Sequence, residues 1–266
     1  MGKVDQLSVL ITGAAAGIGR ATAMHFLKNG HTVYALDLHL PDIGEPLQGD
    51  ITSEERMREL FTQLKERGVK LDGILHFAGV HTMASFLEND FEKTKRLFEI
   101  NLFGAMLVNK TFYPLLKKNG RVLITTSEVA PLAPLPFNGL YSVSKTALDS
   151  YAQALRQELN LLGQKVITLR PGAVATELEK GSAVSTERLC RETELFQTQS
   201  KNFCKLVKKF TGKPMSAEKF GGFVYKIFLK KRPKATYAKN RHLGLRLLGM
   251  LPLGAQCFLV KILVRK

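Results

Sequence analysis

Cysteine is scarce in this chain. Three cysteines, Cys190, Cys204 and Cys257, occur in 266 residues. They are odd in number and far apart, with no Cys-x-x-Cys pair and no matching histidine spacing. They therefore point to neither a disulfide framework nor a zinc site, and no metal is expected. That usage fits a reducing, cytoplasmic setting. No signal peptide is expected either, because the short polar lead of "MGKVDQLSVLITG" runs straight into an apolar strand. Gly2 opens no myristoylation pattern, since Gln6 stands where Ser or Thr is wanted. Internal repeats and low-complexity linkers are absent, so repeat architectures and tethered modules drop out. With 45% hydrophobic residues the chain can bury a full core, and one domain is expected.

Acid is missing from one place in particular. Residues 201–266 carry 17 Lys and Arg against a single acid, Glu218, whereas residues 1–200 balance at 22 against 22. The whole net charge of +16 thus sits in the last quarter. The chain closes on an uncharged stretch from Leu247 to Val260, too short at 14 residues for a bilayer span of about 20 and interrupted by Pro252. Apolar residues flanked by Lys and Arg suit a segment lying on an anionic membrane surface; a helix packed on the core or in a dimer interface is the alternative for residues 241–266. Nucleic acid is a weaker candidate, because no recognition motif or aromatic stacking pattern accompanies the charge.

Short β-branched apolar runs alternate with helix-length periodic segments, the pattern of βαβ units around a parallel sheet. Strands are expected at 7–12, 31–37, 71–77, 120–126 and 164–170. Helices are expected at 17–29, 53–67, 91–118 with a bend at Pro114, 140–162 and 216–231. The polar, weakly periodic segment 177–212 reads as an inserted helical lid over a substrate site. The main domain is taken as residues 1–240.

Gly13, Gly17 and Gly19 fall at the first strand-to-helix junction, in "VLITGAAAGIGRATAMHF". Residues without a Cβ let a tight turn form there and let a pyrophosphate approach amides at the helix N-terminus. Asp37 closes the second strand, where a carboxylate accepts ribose hydroxyls and repels a 2′-phosphate, which favours NAD over NADP; a plain strand-end cap is the other reading. Arg20 is the residue that could engage a phosphate. Further on, Tyr141 and Lys145 stand four apart in "YSVSK", and Tyr113 and Lys117 repeat that spacing in "YPLLK". Spacing alone does not separate an acid/base pair from a surface contact.

Thr12-Gly13-x-x-x-Gly17-x-Gly19, "HFAG" at 76–79, "EINLFG" with Asn101, "ITTSEVA" with Ser127, "YSVSK" and "RPGAVATE" at 170–177 occur in one order. In this the chain resembles the short-chain dehydrogenase/reductase family, and its tail resembles the hydroxysteroid and retinol dehydrogenase-like branch. The resemblance covers residues 7–177. It implies a Rossmann-type, doubly wound α/β fold with strand order 3-2-1-4-5-6-7. It also implies an NAD(P)-dependent alcohol dehydrogenase or ketone reductase acting on a lipophilic substrate, and a homodimer or homotetramer. Tyr141 becomes the general acid/base, Lys145 its cationic partner and ribose contact, Ser127 the donor to the reacting oxygen, and Asn101 the support of a water relay. Thr12, Gly13, Gly17, Ile18, Gly19, Asp37, Asp50, Ile51, Ala78, Gly79, Tyr141, Lys145, Pro171, Gly172 and Thr176 become the cofactor contacts. A non-catalytic lipid- or cofactor-binding module on the same fold is the rival. The family's Asn-Asn-Ala-Gly is here His76-Phe77-Ala78-Gly79, with His76 read as a packed strand residue. Ser127 precedes Tyr141 by 14 positions, one more than usual, with Thr126 as the backup donor.

Overall fold

A computed structural model of the protein describes residues 6–210 and 213–265; Gly2 lies outside them. The chain opens with β1 (Ser8–Thr12), α1 (Gly17–Lys28), β2 (Thr32–Asp37), β3 (Glu45–Gln48), α2 (Glu54–Glu66) and β4 (Leu71–His76). It continues through α3 (Phe91–Phe98), a π-helical turn (Glu99–Phe103), α4 (Gly104–Phe112), a 3₁₀ turn (Tyr113–Leu115), β5 (Leu116–Thr125), α5 (Gly139–Leu161), β6 (Lys165–Pro171) and β7 (Val174–Ala175). It ends with α6 (Glu177–Glu192), α7 (Gln197–Phe210), β8 (Met215–Ser216), α8 (Ala217–Phe228), β9 (Thr236–Lys239), α9 (Leu243–Leu248) and α10 (Leu253–Arg265). Seven parallel strands form one sheet in the order β3-β2-β1-β4-β5-β6-β9, the order that the resemblance implies.

The central strands are apolar along their whole length because helices cover both faces. Val9 to Thr12 of β1 have no exposed surface. On one side Met57, Leu60 and Leu64 of α2, Val108 and Phe112 of α4 and Leu148 and Ala152 of α5 pack on Leu10, Ile74 and Ile124. On the other, Phe26 of α1 and Phe220, Val224 and Phe228 of α8 pack on Val9, Ile11, Leu75 and Leu123. Both layers leave the carboxyl ends of the strands open. Thr12, His76, Thr125 and Pro171 are the last residues of β1, β4, β5 and β6, so the loops carrying the sequence motifs converge at one edge, the switch point of an open α/β sheet.

Three expectations are corrected. The helix expected at 91–118 ends at Phe112, and Pro114, which cannot continue the backbone ladder, sits in the 3₁₀ turn before β5 begins at Leu116. Tyr113 and Lys117 therefore do not share a helix, and the Lys117 ammonium pairs with Asp72 at 2.9 Å. Second, β3 and β9 are edge strands that the pattern missed; Pro46 in β3 and the lysines around β9 mask their periodicity. Third, Cys190 on α6 and Cys204 on α7 form a disulfide, contrary to the reading of the cysteines. The hairpin of two helices brings them together, and no sequence spacing signals that. This pairing also removes the cysteine argument for a reducing compartment. The tail, for which a membrane surface and a packed helix are both expected, is packed along one side: Val264 of α10 is buried with Leu189 and Phe203, and the Asn202 amide donates to the Val264 carbonyl at 3.3 Å. Among the described residues no helix is long and apolar enough to cross a membrane.

Candidate active site

The glycine loop owes its shape to the missing side chains. Gly13 has φ +69°, and a Cβ there would lie 2.6 Å from the Ala78 nitrogen. At Gly19 it would lie 2.0 Å from the Gly13 carbonyl oxygen. Thr12, fully buried, fixes the loop from below: its hydroxyl accepts from the Phe77 and Ala78 N–H groups, each at 3.3 Å. Ala16 caps α1 without a side-chain hydrogen bond, and the first turn holds no acid. The helix thus presents unclaimed amides and no repelling charge, which fits a dinucleotide pyrophosphate. Thr176, which caps α6 by accepting from the Glu179 N–H, closes over Gly17.

Asp37 braces as well as faces the site. Its carboxylate accepts from the Ala15 N–H at 3.0 Å and the His39 N–H at 3.2 Å, the bracing role of a strand-end cap, and the residue lines the cavity. Asp50 accepts from Thr52 and pairs with Arg96 at 2.6 Å. Arg20, the candidate phosphate contact, is paired with Asp42.

At the other end of the same edge, β5 delivers Ser127 and α5 delivers Tyr141 and Lys145, all three largely buried. The Ser127 hydroxyl stands near enough to Tyr141 to favour its phenolate. The Lys145 ammonium donates to the Thr125 carbonyl at 3.3 Å and stands 5.9 Å from the centre of the Tyr141 ring. Gly79 leaves the room for this: a Cβ there would be 3.3 Å from that ammonium. Burial pushes the Tyr141 phenol up to about 12 and depresses Lys145 to about 8. Desolvation of the buried phenol is the largest cause; the Ser127 hydroxyl offsets part of it, and the Glu128 charge adds to it. Thr126 is engaged elsewhere, donating toward Asp149 at 3.1 Å, which leaves Ser127 as the hydroxyl at Tyr141.

Asn101 lies in the π-helical turn, the kind of local insertion that recurs at functional sites. It is buried, accepts from the Val80 N–H at 2.8 Å and donates to the Val80 carbonyl and the Ser144 hydroxyl. It therefore holds the segment after β4 against α5. His76 is packed as expected: its Nε2 meets the Asn109 Oδ1 at 2.8 Å, Asn109 donates to the Tyr151 hydroxyl, and burial lowers the imidazole to about 4. This chain of polar contacts ties β4 to α4 and α5.

Gly13, Gly17, Ile18, Asp37, Asp50, Ile51, Ala78, Gly79, Ser127, Tyr141, Lys145, Pro171, Gly172 and Thr176 line one cavity of about 1540 Å³. Thr12, Gly19 and Asn101 stand behind its wall rather than on it. That volume exceeds the usual few hundred to 1,000 Å³ of a single small-molecule pocket. Four wall features were not singled out in the sequence. His81, its ring centre 4.3 Å from that of Tyr141, is held neutral, near 4, chiefly by burial and hydrogen-bonds Asn138 at 3.1 Å. Glu128 follows Ser127. Arg241 and His242 begin the tail, and leucines and valines of the tail, such as Leu245, Leu248 and Val260, complete an apolar wall. "SEVA" held the signal for Glu128, an acid inside an otherwise apolar strand-end motif; the tail residues have none, since only the fold brings them here.

This arrangement places a glycine loop and a Ser-Tyr-Lys cluster in one cavity at the edge of a Rossmann-type sheet. The short chain dehydrogenase family model matches residues 7–186, and the chain belongs to that family. Estradiol 17-beta-dehydrogenase 2 of Rattus norvegicus is 31% identical over 209 residues, 71% of this chain but 53% of that protein; the chain thus spans about half the length of that relative. 3-Ketodihydrosphingosine reductase of Bacteroides thetaiotaomicron is 26% identical over 229 residues, 85% of this chain and 84% of that protein. A short-chain dehydrogenase/reductase from Burkholderia phymatum, solved in complex with NAD, shares the fold with a TM-score of 0.71 at 21% identity, over 89% of this chain and 90% of that one.

Proposed function

We infer that the protein is an NAD-dependent oxidoreductase interconverting a hydroxyl and a ketone or aldehyde on a lipophilic substrate, sterol-like, retinoid or long-chain. The observation that carries this reading is the position of the Ser127, Tyr141 and Lys145 side chains between the glycine loop and an apolar wall in one cavity. The nicotinamide supplies or takes up the hydride when bound. Gly13, Gly17 and Ile18 would hold the pyrophosphate side, with Gly19 packed behind them on the Gly13 carbonyl, Asp37, Asp50 and Ile51 the adenosine side, and Ala78, Gly79, Lys145, Pro171, Gly172 and Thr176 the nicotinamide side.

Tyr141 carries the proton. With burial holding it near 12, the phenol stays protonated at neutral pH and is ready to donate to a carbonyl oxygen during reduction. Alcohol oxidation asks it to accept, and a cationic Lys145 favours that phenolate. Ser127 donates to the same substrate oxygen and fixes it against Tyr141. Asn101 supports a water relay behind Lys145. Selectivity for NAD over NADP follows from the Asp37 carboxylate and from Arg20 being tied to Asp42.

The tail takes part twice in this reading. Its inner side walls the cavity, under the lid formed by α6 and α7. Its outer side leaves Leu253 and Phe258 more than 60% exposed beside Arg246, Lys261 and Arg265, which suits peripheral attachment to an anionic membrane on its cytoplasmic face. Assembly as a homodimer or homotetramer completes the proposal. Turnover followed by nicotinamide absorbance over a panel of lipophilic alcohols and ketones tests the reaction. Silence across the panel despite cofactor binding would favour the non-catalytic binding module instead. Cosedimentation with phosphatidylserine vesicles, lost on Leu253→Asp with Phe258→Asp, tests the surface.

A further inference from the structure

Glu128 is a buried carboxylate that the chemistry above does not use. It is 9% exposed and lines the cavity directly after Ser127. Its backbone N–H donates to the Pro171 carbonyl at 2.8 Å, which fixes the residue beside the segment assigned to the nicotinamide. One carboxylate oxygen, Oε2, accepts the His242 N–H at 2.7 Å. The other, Oε1, has no hydrogen-bond partner among the described residues and is not sealed from the cavity. A carboxylate taken out of water with half of its acceptor capacity unused is costly unless a ligand completes it.

We propose that Glu128 is a specificity-determining residue whose Oε1 accepts a hydrogen bond from a hydroxyl that the substrate carries close to its reacting carbon. This rests on the oxidoreductase reading and narrows it from any lipophilic alcohol or ketone to lipophilic hydroxy-ketones and the matching diols. The neighbourhood favours a neutral hydroxyl over an ammonium. Arg241 and His242 face Glu128 from the tail, Tyr141 faces it from α5, and Lys145 adds a cation in the same cavity, so a further cation would meet repulsion. An apolar substrate without a donor would leave Oε1 desolvated and unpaired, and sites of that kind reject such analogues strongly. Burial raises the Glu128 carboxyl, and the His242 hydrogen bond works against that rise; preference for the hydroxyl therefore weakens as the solution is acidified and the acceptor protonates.

Three matched long-chain ketones test this: one plain, one with a hydroxyl on the neighbouring carbon, and one with a methoxy group there, which accepts but cannot donate. Calorimetric binding is measured with NADH present, on the wild type, Glu128→Gln and Glu128→Ala, and turnover of the same ligands is followed separately. The wild type is expected to bind the hydroxy-ketone at least about tenfold more tightly than the other two, the scale of a hydrogen bond to a charged group. Glu128→Gln keeps an acceptor for the His242 N–H but offers an amide N–H on the ligand side, so the hydroxy-over-methoxy preference collapses while the plain ketone still binds. Equal wild-type affinities, a preference that survives Glu128→Gln, tighter binding of an amino-ketone, or equal weakening of all three ligands in both variants would each overturn the assignment, the last by reducing Glu128 to an anchor for the tail. If the binding preference holds but nothing is turned over, the reaction reading fails and the Glu128 assignment stands.

Discussion

Lys145 is stored at a cost, and that cost can be measured. Its ammonium is buried at 4% exposure, and its pKa falls from an ordinary 10.5 to about 8. At about 1.4 kcal/mol per pH unit, this gap amounts to about 3 kcal/mol by which the cation disfavours the folded state below pH 8. Lys145→Met removes the charge and nearly keeps the volume, while the Thr125 carbonyl loses a donor at 3.3 Å, worth about 1 kcal/mol. The variant should therefore be inactive and more stable at pH 7 by about 2 kcal/mol. The pH dependence separates this from packing. Between pH 8 and 10 the unfolded chain holds the Lys145 proton and the folded chain does not, so wild-type stability rises with pH. Tyr141, at about 12 when folded against an ordinary 10.0, acts in the opposite direction only above pH 10. Urea unfolding of both proteins at pH 7 and 9.5 should show the advantage of the variant shrinking by about 2 kcal/mol over the roughly 1.5 pH units above 8. An advantage that is equal at both pH values, or a variant less stable at pH 7, would refute the reasoning.

Further expectations concern the cofactor loop, the cysteines and the cofactor choice. Gly13→Ala places a Cβ 2.6 Å from the Ala78 nitrogen at φ +69° and should weaken NADH binding at least about tenfold by fluorescence titration, since side chains rarely adopt that backbone; unchanged affinity would contradict the loop's role. Thiol titration of unreduced, denatured protein should count one thiol, Cys257, and three after reduction; three without reduction would disprove the α6–α7 bond. Asp42→Asn releases Arg20 and should tighten NADPH binding by about fivefold, the scale of one exposed charge contact; no change would remove Arg20 from cofactor selection.

Legibility followed the range of the interactions. Local features could be read directly. The five buried strands show as apolar runs, and the glycine loop shows because its backbone angles forbid side chains. The Tyr141 pair separates from Tyr113 once Ser127 is placed at a strand end. What escaped depended on contacts distant in the chain. β9 joins the sheet only by pairing with β6, and its lysine-rich surroundings hide it. The disulfide needs two lid helices folded back on each other. The break at Pro114 was expected as a bend, but the strand that starts two residues later competes with the helix and wins. For the site, spacing reports the cation near Tyr141 but not the burial that raises its phenol. Arg241, His242 and the tail leucines lie over 60 residues from Lys145, and nothing local marks them as walls of its cavity.

The central claim is that Tyr141 moves the proton while other residues hold the cofactor. Tyr141→Phe, compared with the wild type for both NADH affinity and turnover of a lipophilic hydroxy-ketone by nicotinamide absorbance, addresses it most directly. The account predicts cofactor binding within about twofold of the wild type and turnover lowered at least 100-fold, the scale of general acid catalysis of about 10² to 10⁴. Turnover that persists in the variant would contradict it.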